Sequence, residues 1–145
     1  MKLSSTILFF SICSFVYAQS VPFDKQMFPN DKDGFKEARD NLKEGDRIFD
    51  EGEAYYSLAI PYYEKANEFN SENAELNFRL GLCYLESPYK RKCLKYFKKS
   101  YELDPNFDPL NINFLLARGY HLNEDWDKAL EYYRSQLNAM AGFDV

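Results

Sequence analysis

The sequence is poor in the residues that most often carry chemistry. It holds one histidine, one tryptophan, three cysteines, six glycines and six prolines in 145 residues. His121 alone, with no CxxC pair, does not supply the four ligands of a structural zinc site. There is no glycine-rich phosphate loop, no serine nucleophile elbow and no paired metal-ligand motif. No catalytic residue, metal or cofactor is therefore expected. Scarce glycine and proline disfavour a loop-rich, all-β chain. Positive charge is also in deficit, with 18 basic against 23 acidic residues and a net charge of −5. That is the wrong sign for a chain that tracks phosphates, so no nucleic-acid partner is expected.

Aromatic residues are abundant instead, with 13 Phe and 12 Tyr, and the length suits one domain with a sizeable core. The first 18 residues read as a separate signal. Lys2 is cationic, Ile7 to Val16 is a short apolar run, and Val16 and Ala18 place small residues before an exit at Gln19. The run is too short for a transmembrane helix. Cys13 follows Ile12, which disfavours a lipoprotein signal. Cleavage after Ala18 would leave 17 basic and 23 acidic residues, a balance of −6, and two cysteines, Cys83 and Cys93. Residues 19–30, with two prolines and no periodicity, read as an extended lead-in.

From residue 31 onward the pattern predicts helices near 31–50, 54–69, 73–86, 88–103, 110–122 and 126–139. Ser87-Pro88 and Asp108-Pro109 read as a cap followed by proline at the first helical position. Asp104-Pro105 ends one helix, and Asp125 caps the last. The helices are self-similar. Ala59, Cys93 and Ala129 are spaced by 34 and 36 residues, and Tyr63, Phe97 and Tyr133 follow at the same intervals. Leu76-Asn77-Phe78 returns as Ile112-Asn113-Phe114, Leu80-Gly81 as Leu116-Ala117, and Tyr84 as Tyr120. A period in the mid-thirties made of two antiparallel helices predicts an all-α helical solenoid of about three pairs.

Residues 74–107 resemble a tetratricopeptide (TPR) repeat. Leu80, Gly81 and Tyr84 stand on its first helix, Cys93, Phe97 and Ser100 on its second, and Pro105 at its end. Residues 110–143 resemble another through Leu116, Ala117, Tyr120, Ala129 and Tyr133. Residues 38–73 match through Ala59, Tyr63 and Ala66, with about two residues inserted near Gly52. The repeat domain thus spans 31–143. A narrower likeness, carried by FPNDKDGFKEARDNLKEGD, AELNFRLGLCYL and ARGYHLNEDWDKALEYY, is to the N-terminal TPR region of OmpA-family envelope proteins of the Bacteroidota. Such proteins often continue into a β-propeller and a peptidoglycan-binding domain.

Three stretches invite a chemical reading and each has a plainer one. Six basic residues fall between Lys90 and Lys99. Arg91, Lys95, Lys98 and Lys99 recur at helical spacing on one outer, solvated face. Cys83 and Cys93 are expected to point to different sides of their helices, so they read as small core residues rather than a disulfide. Asn30-Asp31-Lys32-Asp33-Gly34 has alternating carboxylates before a glycine, but Pro29 stands where a calcium loop needs its first acidic ligand, and Asp40 where it needs the closing bidentate Glu. Acids at the positive end of a helix are the simpler reading.

By resemblance, the first helix of each pair lines a concave surface that holds peptides or partner helices. Its lining here would be Leu42, Asp46, Phe49, Phe78, Leu82, Leu85, Asn111, Phe114, Arg118 and His121. Phe and Leu with a few polar handles suit an extended or helical protein segment. The paired Lys and Asn of TPR carboxylate clamps are missing. Leu137, Met140 and Phe143 near the end suggest an apolar flank that a further segment or a partner covers. The expected function is an exported, non-catalytic interaction module of the bacterial envelope, periplasmic or associated with the outer membrane. Alternatives are an anchoring part of a larger peptidoglycan-associated protein, or an accessory subunit of a secretion complex.

Overall fold

A computed structural model describes residues 19–108 and 111–141. The expected signal at 1–18 lies outside the described residues, as do Pro109 and Phe143. Six α-helices follow one another: α1 (Lys32–Phe49), α2 (Tyr56–Phe69), α3 (Ala74–Leu85), α4 (Cys93–Leu103), α5 (Ile112–Leu122) and α6 (Trp126–Ala141). Among the described residues there is no strand, so the chain is all-α. Helices pack as consecutive pairs, α1 on α2, α3 on α4 and α5 on α6. The pairs are joined through α2 with α3 and α4 with α5.

The helix starts have identifiable causes. The Asp31 carboxylate accepts the Gly34 N–H at 2.9 Å, which satisfies a donor that the first turn leaves unpaired. The stretch considered as a calcium loop is therefore the N-terminus of α1. Asn73 Oδ1 accepts from Leu76 N at 2.8 Å at the head of α3. Asp125 Oδ1 accepts from Lys128 N at 3.3 Å at the head of α6.

One expected helix starts later than the sequence suggests. Residues 88–103 do not form a single helix: a 3-10 turn occupies Lys90–Lys92 and α4 begins at Cys93. The reason lies in Ser87, which is buried. Its hydroxyl donates to the Tyr84 carbonyl at 2.8 Å and accepts the Tyr89 N–H at 3.0 Å. It thereby closes α3 and turns the chain before α4 starts.

The core is organised by rings pressed against small residues. A β-carbon on Gly45 of α1 would lie 2.6 Å from ring carbons of Tyr63 on α2, and one on Gly81 of α3 would lie closer still to Phe97 on α4. Tyr63 and Phe97 are fully buried. Gly45, Gly81 and Ala117 are 36 residues apart, and Gly45 was not among the expected repeat residues. Its ring partner, across the α1–α2 turn, is 18 residues away rather than the 16 that separate Gly81 from Phe97, because Tyr63 lies deeper in α2 than Phe97 does in α4. Gly52, with φ of 110°, takes the left-handed backbone that this turn requires. A second ring pair repeats as well. Tyr84 stacks on Tyr96 at 5.3 Å and Tyr120 on Tyr132 at 5.4 Å.

Cys83 and Cys93 are both free and buried. Burial pushes the Cys83 thiol up to about 12, against the pull of Arg79, and the Cys93 thiol up to about 11, against that of Arg118. The thiolate is the reactive form, so both groups are inert at neutral pH. Neither residue should react with a thiol-specific disulfide reagent at pH 8 in the folded protein, and both should react at once in guanidinium. Rapid labelling of either without denaturant, read by mass spectrometry of the peptides, would contradict this packing.

Candidate interaction surface

The lead-in is not a loose tail. Val21 N donates to the Glu72 carbonyl at 2.6 Å, and the Val21 carbonyl accepts from Asn70 Nδ2 at 3.0 Å and Asn73 Nδ2 at 2.9 Å. Ser20 Oγ accepts the Ala74 N–H at 3.0 Å. Backbone groups of an extended segment are thus held by side chains and main chain of the α2–α3 turn. The turn itself is stiffened by buried Asn77, whose amide donates to the Ser71 and Asn73 carbonyls at 2.9 and 2.8 Å. Beyond Ser20 and Val21, Pro22 and Phe23 join Leu42, Asp46, Leu76 and Arg79 around a recess of about 160 Å³.

This placement divides the expected lining residues into two groups. The first group is occupied by the chain itself. Asp46 accepts the Tyr63 hydroxyl at 2.9 Å and forms an ion pair with Arg79 from α3. Arg79 also pairs with Glu75 at 2.6 Å, and its guanidinium lies 5.6 Å from the Phe49 ring centre. Phe49 stacks on Tyr56 at 4.1 Å. Burial and the neighbouring Asp46 push the Tyr63 phenol above its usual range, against the pull of Arg79. Burial works against the Arg79 charge, but Tyr63, Asp46 and Glu75 outweigh it and hold the guanidinium protonated. Asp46 and Phe49 are thus part of a bridge between the first two helix pairs. Leu42 is half-buried against the core.

Leu85 belongs to neither group. It is only 3% exposed and offers no surface to a ligand, which corrects its place among the lining residues. As the last residue of a helix packed on both α2 and α4, it turns into the core.

The second group lies at α3 and α5. Phe78 and Leu82 are half-buried, and Phe78 packs between Phe97 at 6.0 Å and Phe107 at 5.4 Å. Asn111 is exposed and donates to the Asp108 carboxylate at 3.2 Å. Phe114 is 43% exposed, tilts on Tyr133 at 6.0 Å, and has the Arg118 guanidinium 5.9 Å from its ring centre. His121 is exposed and meets Trp126 edge-on at 5.0 Å. Trp126 is itself 59% exposed. Phe114, Arg118 and His121 fall on one face of α5 by their spacing of three and four. Phe107 and Trp126 extend the aromatic surface but were not singled out from the sequence. Both lie just outside the helix whose periodicity was used, so face analysis of α5 alone misses them.

The basic run around α4 has structural partners. Lys92 sits 5.2 Å from the Tyr84 ring centre and Lys95 5.0 Å from that of Tyr96. Lys99 pairs with Glu72 at 2.8 Å and Arg91 with Glu124 at 2.5 Å. Such exposed pairs stabilise little individually. With the ring contacts, they occupy four of the six cations of the run. Among the described residues no helix is long and apolar enough to cross a membrane.

No protein-family model matches the sequence, and no curated protein gives a significant match. The chemistry of the surface itself therefore carries the functional reading.

Proposed function

We propose that this chain is an exported, non-catalytic protein-interaction module, built as a TPR-type helical solenoid, that holds a protein segment against the open part of its α3–α5 face. The observation that carries the reading is the patch of Phe114, Arg118, His121 and Trp126, in which apolar rings stay exposed beside a cation. Exposed rings next to a polar handle give a partner both burial and orientation. The repeating Gly45–Tyr63 and Gly81–Phe97 contacts support the solenoid reading, since the first two pairs use the same device to bring their helices together. The lead-in supports the ligand class, because the fold already accommodates one extended segment through its main-chain groups. Location in the bacterial envelope, at the periplasm or the outer membrane, rests on the signal-like N-terminus and the sequence resemblance.

The test is a comparative pull-down from envelope extract with the native protein and the Phe114→Ala/Arg118→Glu variant. At least one protein captured by the native chain should fall by about tenfold or more with the variant, as expected for loss of central contacts. If every captured protein binds both equally, the α5 face is not the docking surface.

A further inference from the structure

A second recess lies between the lead-in and α1. It has a volume of about 650 Å³, within the range of ligand-sized sites. Its apolar part is Phe28, Pro29 and Phe35. Phe28 stacks on Phe35 at 5.7 Å and is backed by Phe69 at 4.8 Å, so this floor is fixed by the core. Its rim is cationic. Lys32, Lys36, Arg39 and Lys43 descend one face of α1 at spacings of three and four, and Lys25 of the lead-in completes the rim. Asp40 is the one carboxylate among the lining residues.

Two features set this recess apart from an ordinary wet helix face. First, among the described residues none of the five cations takes part in an ion pair, whereas Arg47 further along the same helix pairs with both Glu44 and Glu51. Second, three of the five acids of α1, Asp33, Glu37 and Glu44, line an adjoining hollow with Tyr62, which shares Lys36 and Asp40 with the recess. Like charges three and four residues apart on a helix repel, and a bound anion relieves that repulsion. The rings beneath would cover an apolar body attached to the anion.

We propose that this recess binds a single-chain anionic amphiphile, an alkyl tail bearing a carboxylate or phosphate head. The head is held by Lys32, Lys36, Arg39 and Lys43, and the tail lies along Phe28 and Pro29, above the buried Phe35. The site is independent of the α5 surface and of any protein partner. An acidic peptide would match the rim but leave the rings uncovered.

The probe is dodecyl phosphate, titrated calorimetrically into the purified protein below its micellar concentration. Inorganic phosphate, dodecyl maltoside, a poly-glutamate peptide, and phosphatidylglycerol and phosphatidylcholine vesicles serve as separate arms. Dodecyl phosphate should bind one per chain, and inorganic phosphate and dodecyl maltoside should each bind at least about tenfold more weakly, because each lacks half of the recognised chemistry. Lys36→Gln/Arg39→Gln should weaken dodecyl phosphate by about tenfold or more, with its thermal unfolding curve unchanged. Phe28→Ser should weaken it too; because Phe28 also packs on Phe69, the charge variant is the decisive one. Equal binding of inorganic phosphate or poly-glutamate would overturn the proposal. So would unchanged affinity in Lys36→Gln/Arg39→Gln, or binding to phosphatidylglycerol vesicles with none to the monomer, which would mark a bilayer surface as the source of the anion.

Discussion

Phe97→Ala is expected to destabilise the protein by about 3–5 kcal/mol, the range for deleting a fully buried phenylalanine. Phe97 has no exposed surface, faces Gly81 of α3, and receives the edge of Phe78. Its removal leaves a void between α3 and α4, and Gly81 has no side chain with which to fill it. The melting temperature should fall by something on the order of 10–20 °C. Tyr133 occupies the same repeat position on α6 but is only half-buried, so Tyr133→Ala should cost well under half as much. Paired urea titrations measure both. If the two variants lose similar stability, the central pair is not the mechanical core of the molecule.

The opposite error, too much volume at the same contact, should be nearly as damaging. Gly81→Val places branched carbons where the Phe97 ring already lies, and neither helix can withdraw without breaking contacts on its far side. Overpacking of this kind typically costs about 1–3 kcal/mol, and the backbone position of Gly81 puts the variant at the upper end. Combining Gly81→Val with Phe97→Leu should recover part of the loss, because the smaller side chain vacates the space the valine needs. A double-mutant cycle by thermal denaturation gives the coupling directly. Additive effects would mean that the two residues do not share one contact.

The sequence allowed the six helices, their pairing and most of the ring positions to be read, because intervals of 34 and 36 residues repeat the same apolar types. Gly45 escaped because it precedes its ring by 18 residues where Gly81 precedes Phe97 by 16, so the ring spacing does not point back to it. The late start of α4 escaped for a different reason. Ser87 is a good cap by type, but which backbone group it caps depends on the bond it also makes back to Tyr84. Arg79 was not singled out, because its ion-pair partners, Asp46 of α1 and Glu75 of its own helix, lie 33 and four residues away. Leu85 was assigned to a ligand surface by resemblance to the lining of a TPR groove. In α3, which has neighbours on two sides and an apolar residue at nearly every turn, phase no longer separates a lining position from a buried one. The lead-in was the least legible part. Its anchors are amide groups of Asn70 and Asn73, residues that equally well mark any turn.

Those anchors have a consequence for how the chain folds. The dominant helix contacts join elements adjacent in sequence, so most of the structure can form from local encounters, the arrangement associated with low contact order and fast folding. The lead-in is the exception, because Val21 and Ser20 bond to residues 49 to 54 positions away. Closing that loop carries an entropy cost that grows only with the logarithm of its length. Once closed, it ties the lead-in to the head of α3 and encloses α1 and α2 in a ring. The molecule thereby gains a direction of cooperativity. The lead-in couples the first three helices directly, while α5 and α6 join the rest through α4 and the 3-10 turn before it.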